Sequence, residues 1–212
     1  MSTTTTSARR SGTSRKVRAL LAGGVVLGIG AAATLAAWND SEYAGATFTA
    51  GSFNLEGAVD GADGSYTDHA SATDGVAPLE FSLPVGNLAP GDTVAAPFWV
   101  RLDADTTTAA TLDLVSLDST DTTGGNSSHL GYAVYAIDAD ATCSVTTTGT
   151  LLGEGATLAD DPAIAGDTVA LPVGAEGVAG EPTQLCFVVT AGDDLEQGGS
   201  TEAVWQLTAT SS

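Results

Sequence analysis

Apolar and polar residues alternate most clearly from Thr93 to Asp103, where Val94, Ala96, Phe98, Val100 and Leu102 fall on every second position. A period of two is that of a strand with one buried face. The same period runs through Leu79, Phe81, Leu83 and Val85, and again through Ala203, Trp205, Leu207 and Ala209. Further strands are predicted over Thr47–Leu55, Thr108–Leu117, Leu130–Ile137, Thr142–Thr147 and Thr183–Thr190, all rich in β-branched or aromatic residues. Within Thr47–Leu55 the apolar phase slips between Ala50 and Phe53, so a bulge is expected at Gly51-Ser52.

Gly- and Asp-rich stretches over residues 57–75, 119–128 and 149–166 read as surface loops. In Asn87-Leu88-Ala89-Pro90-Gly91-Asp92, Pro90 presets φ for a turn and Gly91 permits positive φ after it, which turns the chain into the next strand. About eight short strands separated by such turns, with no long helical pattern after residue 37, predict an all-β fold. An antiparallel β-sandwich of jelly-roll or immunoglobulin-like kind is expected. Strand order is not legible at this level.

A different pattern precedes the sheet. Residues Ala19–Ala37 carry no charge and follow directly on Arg9, Arg10, Arg15, Lys16 and Arg18. A basic stretch followed by an apolar one is the order of a secretory signal helix. Thr34 and Ala36 supply small residues for a signal peptidase, which places cleavage between Ala36 and Ala37. The other reading is a retained membrane anchor, which four glycines in the apolar run weaken. Arg9-Arg10 lacks the continuation of a twin-arginine signal. The expected organisation is therefore a signal peptide over 1–36 and one secreted domain over 37–212, with membrane contact only through the uncleaved signal.

Beyond the signal, Arg101 is the one basic side chain against 26 acids, a formal charge of −25. Such a surface repels nucleic acid and anionic lipid. Cys143 and Cys186 are the only cysteines, and in an oxidising compartment they are expected to join.

Candidate chemistry is sparse. His69 and His129 sit in glycine- and serine-rich stretches without the spacing of a zinc protease, and no nucleophile elbow accompanies them. The pairs Asp60/Asp63, Asp103/Asp105, Asp138/Asp140 and Asp193/Asp194 offer oxygen ligands for calcium, but none completes an EF-hand loop. No catalytic set, metal site or cofactor is expected, and the chain reads as a non-enzyme.

The stretch Gly30-Ala31-Ala32-Ala33-Thr34-Leu35-Ala36-Ala37-Trp38-Asn39-Asp40, followed by Ala46-Thr47-Phe48-Thr49-Ala50-Gly51-Ser52-Phe53-Asn54-Leu55, resembles the signal and first strand of the TasA/camelysin family of SipW-dependent secreted proteins. Asn87–Asp92 with its following strand is similar to a second segment of that family. The resemblance implies cleavage by a SipW-type signal peptidase, a jelly-roll-like domain, and a place in the extracellular matrix or on the cell surface. It also implies self-association into biofilm-type fibres. An N-terminal strand carrying Ala46, Phe48, Ala50 and Phe53 would then pair with a neighbouring copy. Two other readings stay open: a cell-surface metalloprotease of camelysin type, and a secreted binding module that does not polymerise.

Overall fold

The computed structural model describes residues 13, 16–24, 41–47, 49–73, 75–83, 85–164 and 167–212. The chain divides into two units, Met1–Phe48 and Thr49–Ser212. In the first, residues 16–24 are helical and exposed, and 41–47 are exposed without regular structure. Among the described residues no helix is long and apolar enough to cross a membrane. The expected cleavage site at Ala36 and Ala37 lies outside the described residues.

Among the described residues the second unit has nine strands: β1 (Leu55–Ala58), β2 (Thr93–Leu102), β3 (Ala110–Thr123), β4 (Leu130–Ile137), β5 (Thr150–Gly155), β6 (Ala163–Ile164), β7 (Val169–Leu171), β8 (Thr183–Ala191) and β9 (Ser200–Ser211). They form two sheets, one of six strands in the order β1-β2-β8-β4-β5-β6 and one of three in the order β7-β3-β9. Every strand pairing is antiparallel. The two sheets share one core, to which Val94, Phe98, Val100 and Leu102 of β2, Leu185 and Phe187 of β8, and Leu112, Leu114 and Leu117 of β3 contribute. The fold is an all-β sandwich.

Alternation placed β2 and β9 correctly, and enrichment in β-branched and aromatic residues placed β4 and β8; β4 buries every second side chain, whereas β8, enclosed between two strands, buries Gln184 to Phe187 in succession. The turn before β2 also forms as expected: Gly91 has φ +84°, and Asp92 N donates to Ala89 O at 3.0 Å.

Several expectations are corrected. Among the described residues strand structure begins at Leu55 and not at Thr47. Residues just before it are held by the β2–β3 turn instead of a ladder: Thr107 N donates to Ser52 O (3.1 Å), Asp103 N to Asn54 O (3.1 Å), and Asn54 N to Thr106 Oγ1 (3.0 Å). In place of the expected bulge at Gly51-Ser52, Ser52 makes an isolated parallel bridge to Thr106.

Among the described residues of the stretch 79–85 none is in a strand. Leu79 and Phe81 pack against the core, and one backbone bond, Ser82 N to Ala95 O at 2.8 Å, joins the segment to β2. Pro84 has no N–H to continue a ladder, and a 3-10 turn follows at Val85–Asn87.

Thr142–Thr147 is a turn, since the Thr147 hydroxyl accepts from Ser144 N (2.8 Å) and Thr147 N donates to Ser144 O (3.0 Å). Local side-chain bonds here outcompete the strand preference of threonine.

Two expected loops contain strands. β3 runs on to Thr123 because Ser119–Thr123 pair with the start of β9. Residues 149–166 contain β5 and β6. A Cβ at Gly153 would lie 2.9 Å from Leu114 Cδ2, so this glycine admits the opposing sheet and does not mark a loop.

Candidate functional site

The segment before β1 and the edge strands of the two sheets leave backbone groups outside a ladder. Residues 41–47 and 49–50, including Ala46 and Ala50, are exposed and in no strand. Phe48 lies outside the described residues. Phe53 is 40% exposed and sits between Ser52 and Asn54, both tied to the β2–β3 turn. The segment preceding the first tie therefore ends at Gly51.

Sheet edges differ in how much backbone they leave open. On the outer side of β1, Gly57 and Thr67 exchange two backbone bonds of 3.0 and 2.9 Å. The part of β2 that β1 does not reach is met by Ser82, whose hydroxyl also accepts from Ala95 N at 3.2 Å. β6 and β7 are only two and three residues long. β9, by contrast, is twelve residues long and pairs only with β3 among the described strands.

The inward side chains of β9 are incompletely covered. Ala203, Trp205, Leu207 and Ala209 are half-buried against the core. Their β3 partners Leu117, Leu114 and Leu112 are 7%, 1% and 0% exposed. Trp205 packs edge-on to Phe187 (5.2 Å between ring centroids) and to Tyr132 (6.0 Å). Its indole N–H and the Tyr132 hydroxyl are buried without hydrogen-bond partners among the described residues. Burial, reinforced by Asp161 and Asp160, pushes the Tyr132 phenol up to about 12.

A second feature lies on the outer face of the six-stranded sheet. Cys143 and Cys186 form the expected disulfide. Cys186 is on β8 and fully buried, while Cys143 belongs to the β4–β5 connection, so the bond ties that loop down over the sheet. Two side chains help: Trp99 Nε1 donates to Ala139 O (2.8 Å), and the buried Gln184 amide, assigned with its nitrogen toward the carbonyls it faces, donates to Ala141 O (2.7 Å) and Asp138 O (3.3 Å). Beside it is an open cavity of about 480 Å³ lined by Asp60, Asp63, Trp99 and Asp140, among others.

The one cation of the domain is consumed locally. Arg101 Nε donates to Glu56 Oε1 at 2.6 Å, and the guanidinium lies 3.7 Å from the centre of the Tyr66 ring. Burial pushes the Tyr66 phenol up to about 12, with Arg101 opposing the shift and Glu56, Asp63 and Asp60 adding to it.

In two of the acidic pairs one carboxylate braces its own turn. Asp60 accepts from Ser65 N at 2.9 Å. Asp103 accepts from the Thr106 hydroxyl (2.9 Å) and Asp105 N (3.0 Å). Desolvation raises the Asp103 carboxyl, but these bonds and one from Asn54 outweigh it and leave its pKa below the ordinary value. Asp121, not singled out by the sequence, accepts from Ser127 Oγ (2.6 Å), Thr201 Oγ1 (2.5 Å) and Ser127 N (2.9 Å), which hold its carboxyl low. No group of three or more His, Cys, Asp or Glu side chains is placed to hold a metal ion among the described residues. His69 meets the Thr67 hydroxyl at 3.3 Å and the edge of Phe98, both structural contacts.

No family model matches the chain, and no curated protein matches it.

Sequence reasoning missed Trp99, Gln184 and Asp121. Their partners are backbone groups or hydroxyls brought near by folding, which no local pattern announces. Arg101 carried a usable signal, since a lone cation among 26 acids is bound to find a carboxylate.

Proposed function

We propose that this chain is a secreted structural protein of the extracellular matrix or cell surface that self-associates into fibres by N-terminal strand exchange. The observation that carries this reading is that residues 41–47 and 49–50 are exposed and in no strand, most of them preceding the sandwich unit beginning at Thr49. Alternate residues Ala46, Phe48 and Ala50 suit one face of a strand. Tyr43 to Ala50 is free of charge in a chain that is otherwise strongly acidic.

Processing by a SipW-type signal peptidase between Ala36 and Ala37 would release this segment from the membrane. Exchange of a strand between identical copies is heterologous, and when its rotation does not close it propagates as a filament. The test is sedimentation and electron microscopy of the secreted chain starting at Ala37. Fibres that disappear when Ala37–Ala50 is deleted support the reading, provided the truncated chain keeps its disulfide and sheet spectrum. A parent chain that stays monomeric at all concentrations, or a truncated chain that forms the same fibres, overturns it.

A further inference from the structure

We propose that the cavity between the 60–64 loop and the β4–β5 connection binds an alkylated ammonium ion. The site lies within the sandwich unit and is independent of the self-association described above.

The cavity has a volume of about 480 Å³. Residues 60–64 line one side of it and residues 139–141 another, and Trp99 of β2 is its one aromatic lining residue.

Both loops are fixed by contacts of their own. Asp60 accepts from Ser65 N (2.9 Å), the Tyr66 hydroxyl donates to Ala62 O (3.1 Å), and Gly61 has φ +127°. A Cβ at Gly64 would run into the Asp60 carboxylate, so the tight loop requires glycine there. The other loop is tied to β8 by the disulfide and by Gln184, and to β2 by Trp99. A pre-formed site loses little to ordering when it binds.

The groups left over at the cavity select the ligand. The indole N–H, Gly64 N and Ala141 N are already spent on Ala139 O, Gly61 O and Asp138 O. Asp63 and Asp140 are exposed and make no hydrogen bond or ion pair among the described residues. Arg101, the one lysine or arginine of the unit, is taken up by Glu56 and the Tyr66 ring. Every charged residue lining the cavity is an acid, and the strongly acidic domain around it concentrates cations and repels anions.

A bare metal ion does not suit the site, because no three His, Cys, Asp or Glu side chains among the described residues come together to hold one. The lining instead combines an aromatic surface with separated carboxylates. That combination attracts a large, weakly hydrated ammonium: the ring quadrupole and the carboxylates complement its charge, and the indole gives its alkyl groups apolar contact. A neutral sugar would gain nothing from the charge.

Equilibrium dialysis of the secreted chain against radiolabelled choline, at physiological ionic strength, reads monomers and assemblies alike. Saturable binding is expected. Asp63→Asn with Asp140→Asn should weaken it about tenfold, roughly threefold for each exposed carboxylate. Asp118→Asn with Glu202→Gln removes the same charge from exposed positions on the three-stranded sheet and should change it less than about twofold. Trp99→Leu should weaken binding about fivefold, and Trp99→Phe should largely restore it. Dimethylbutanol, the uncharged carbon isostere of choline, should compete far more weakly than choline itself. Non-saturating uptake, or equal losses from the two pairs of carboxylates, would leave only a counter-ion atmosphere and overturn the site. Equal losses from Trp99→Leu and Trp99→Phe overturn the aromatic contact. Competition by dimethylbutanol as strong as by choline, or displacement of choline by stoichiometric calcium or by glucose, overturns the ammonium assignment.

Discussion

Cys143 and Cys186, with Cα atoms 5.4 Å apart, join the β4–β5 connection to the middle of β8 across 43 residues of sequence. β8 lies between β2 and β4 in the six-stranded sheet, so the bond anchors a loop to the most enclosed part of that sheet. Trp99 and Gln184 hold the same loop through Ala139, Ala141 and Asp138 carbonyls.

Replacing Cys143 by serine should lower stability by about 4 kcal/mol on the chain-entropy account of a loop of this size. Urea unfolding of the oxidised parent and of Cys143→Ser measures it. Equal midpoints would show that Trp99 and Gln184 suffice to hold the loop.

Arg101→Met should destabilise the domain by about 1–2 kcal/mol, through loss of the Glu56 ion pair and of the contact with the Tyr66 ring. Because both partners are only partly exposed, the effect should survive moderate salt. Denaturation with and without added sodium chloride checks both statements.

Asp121 and Asp103 make stability depend on pH on the acid side. Each carboxyl is held below its ordinary value in the fold, so the unfolded chain takes up a proton first as pH falls. Their contribution is complete above the unfolded value of about 4 and is lost as pH drops through the folded one. Thermal melts from neutral to strongly acidic pH should show a smaller acid-side loss for Asp121→Asn than for the parent.

Tyr132 acts at the other end of the scale. Its phenol is pushed up to about 12, so its contribution is full below the unfolded value of about 10 and is lost as pH rises toward the folded one. Tyr132→Phe should remove a late step from the phenolate absorbance titration. At neutral pH the same change removes a buried hydroxyl without a partner and should leave stability unchanged or raise it by about 1 kcal/mol.

Much of the sheet was legible because a strand with one buried face must alternate. Val94 to Leu102 shows this on a central strand and Ala203 to Ala209 on an edge strand. Failures fell where another interaction claimed the backbone. The hydroxyls of Thr106 and Thr147 took N–H groups that a ladder would have used. Glycine also misled, since Gly153 looked like loop material and serves to let Leu114 approach β5.

The sequence by itself determined the fold class, the turn at Gly91 and the pairing of the two cysteines. These depend on period-two alternation, on the backbone freedom of glycine and on there being one possible partner for each thiol. Only the tertiary structure decided that β8 is enclosed between β2 and β4, that Ser52 and Asn54 are fastened to the β2–β3 turn, and that β9 is left with an open side. Strand order arises from contacts between residues far apart in sequence, as Leu117 with Trp205 or Tyr135 with Cys186, and local hydrophobic pattern carries no record of which strands will be neighbours.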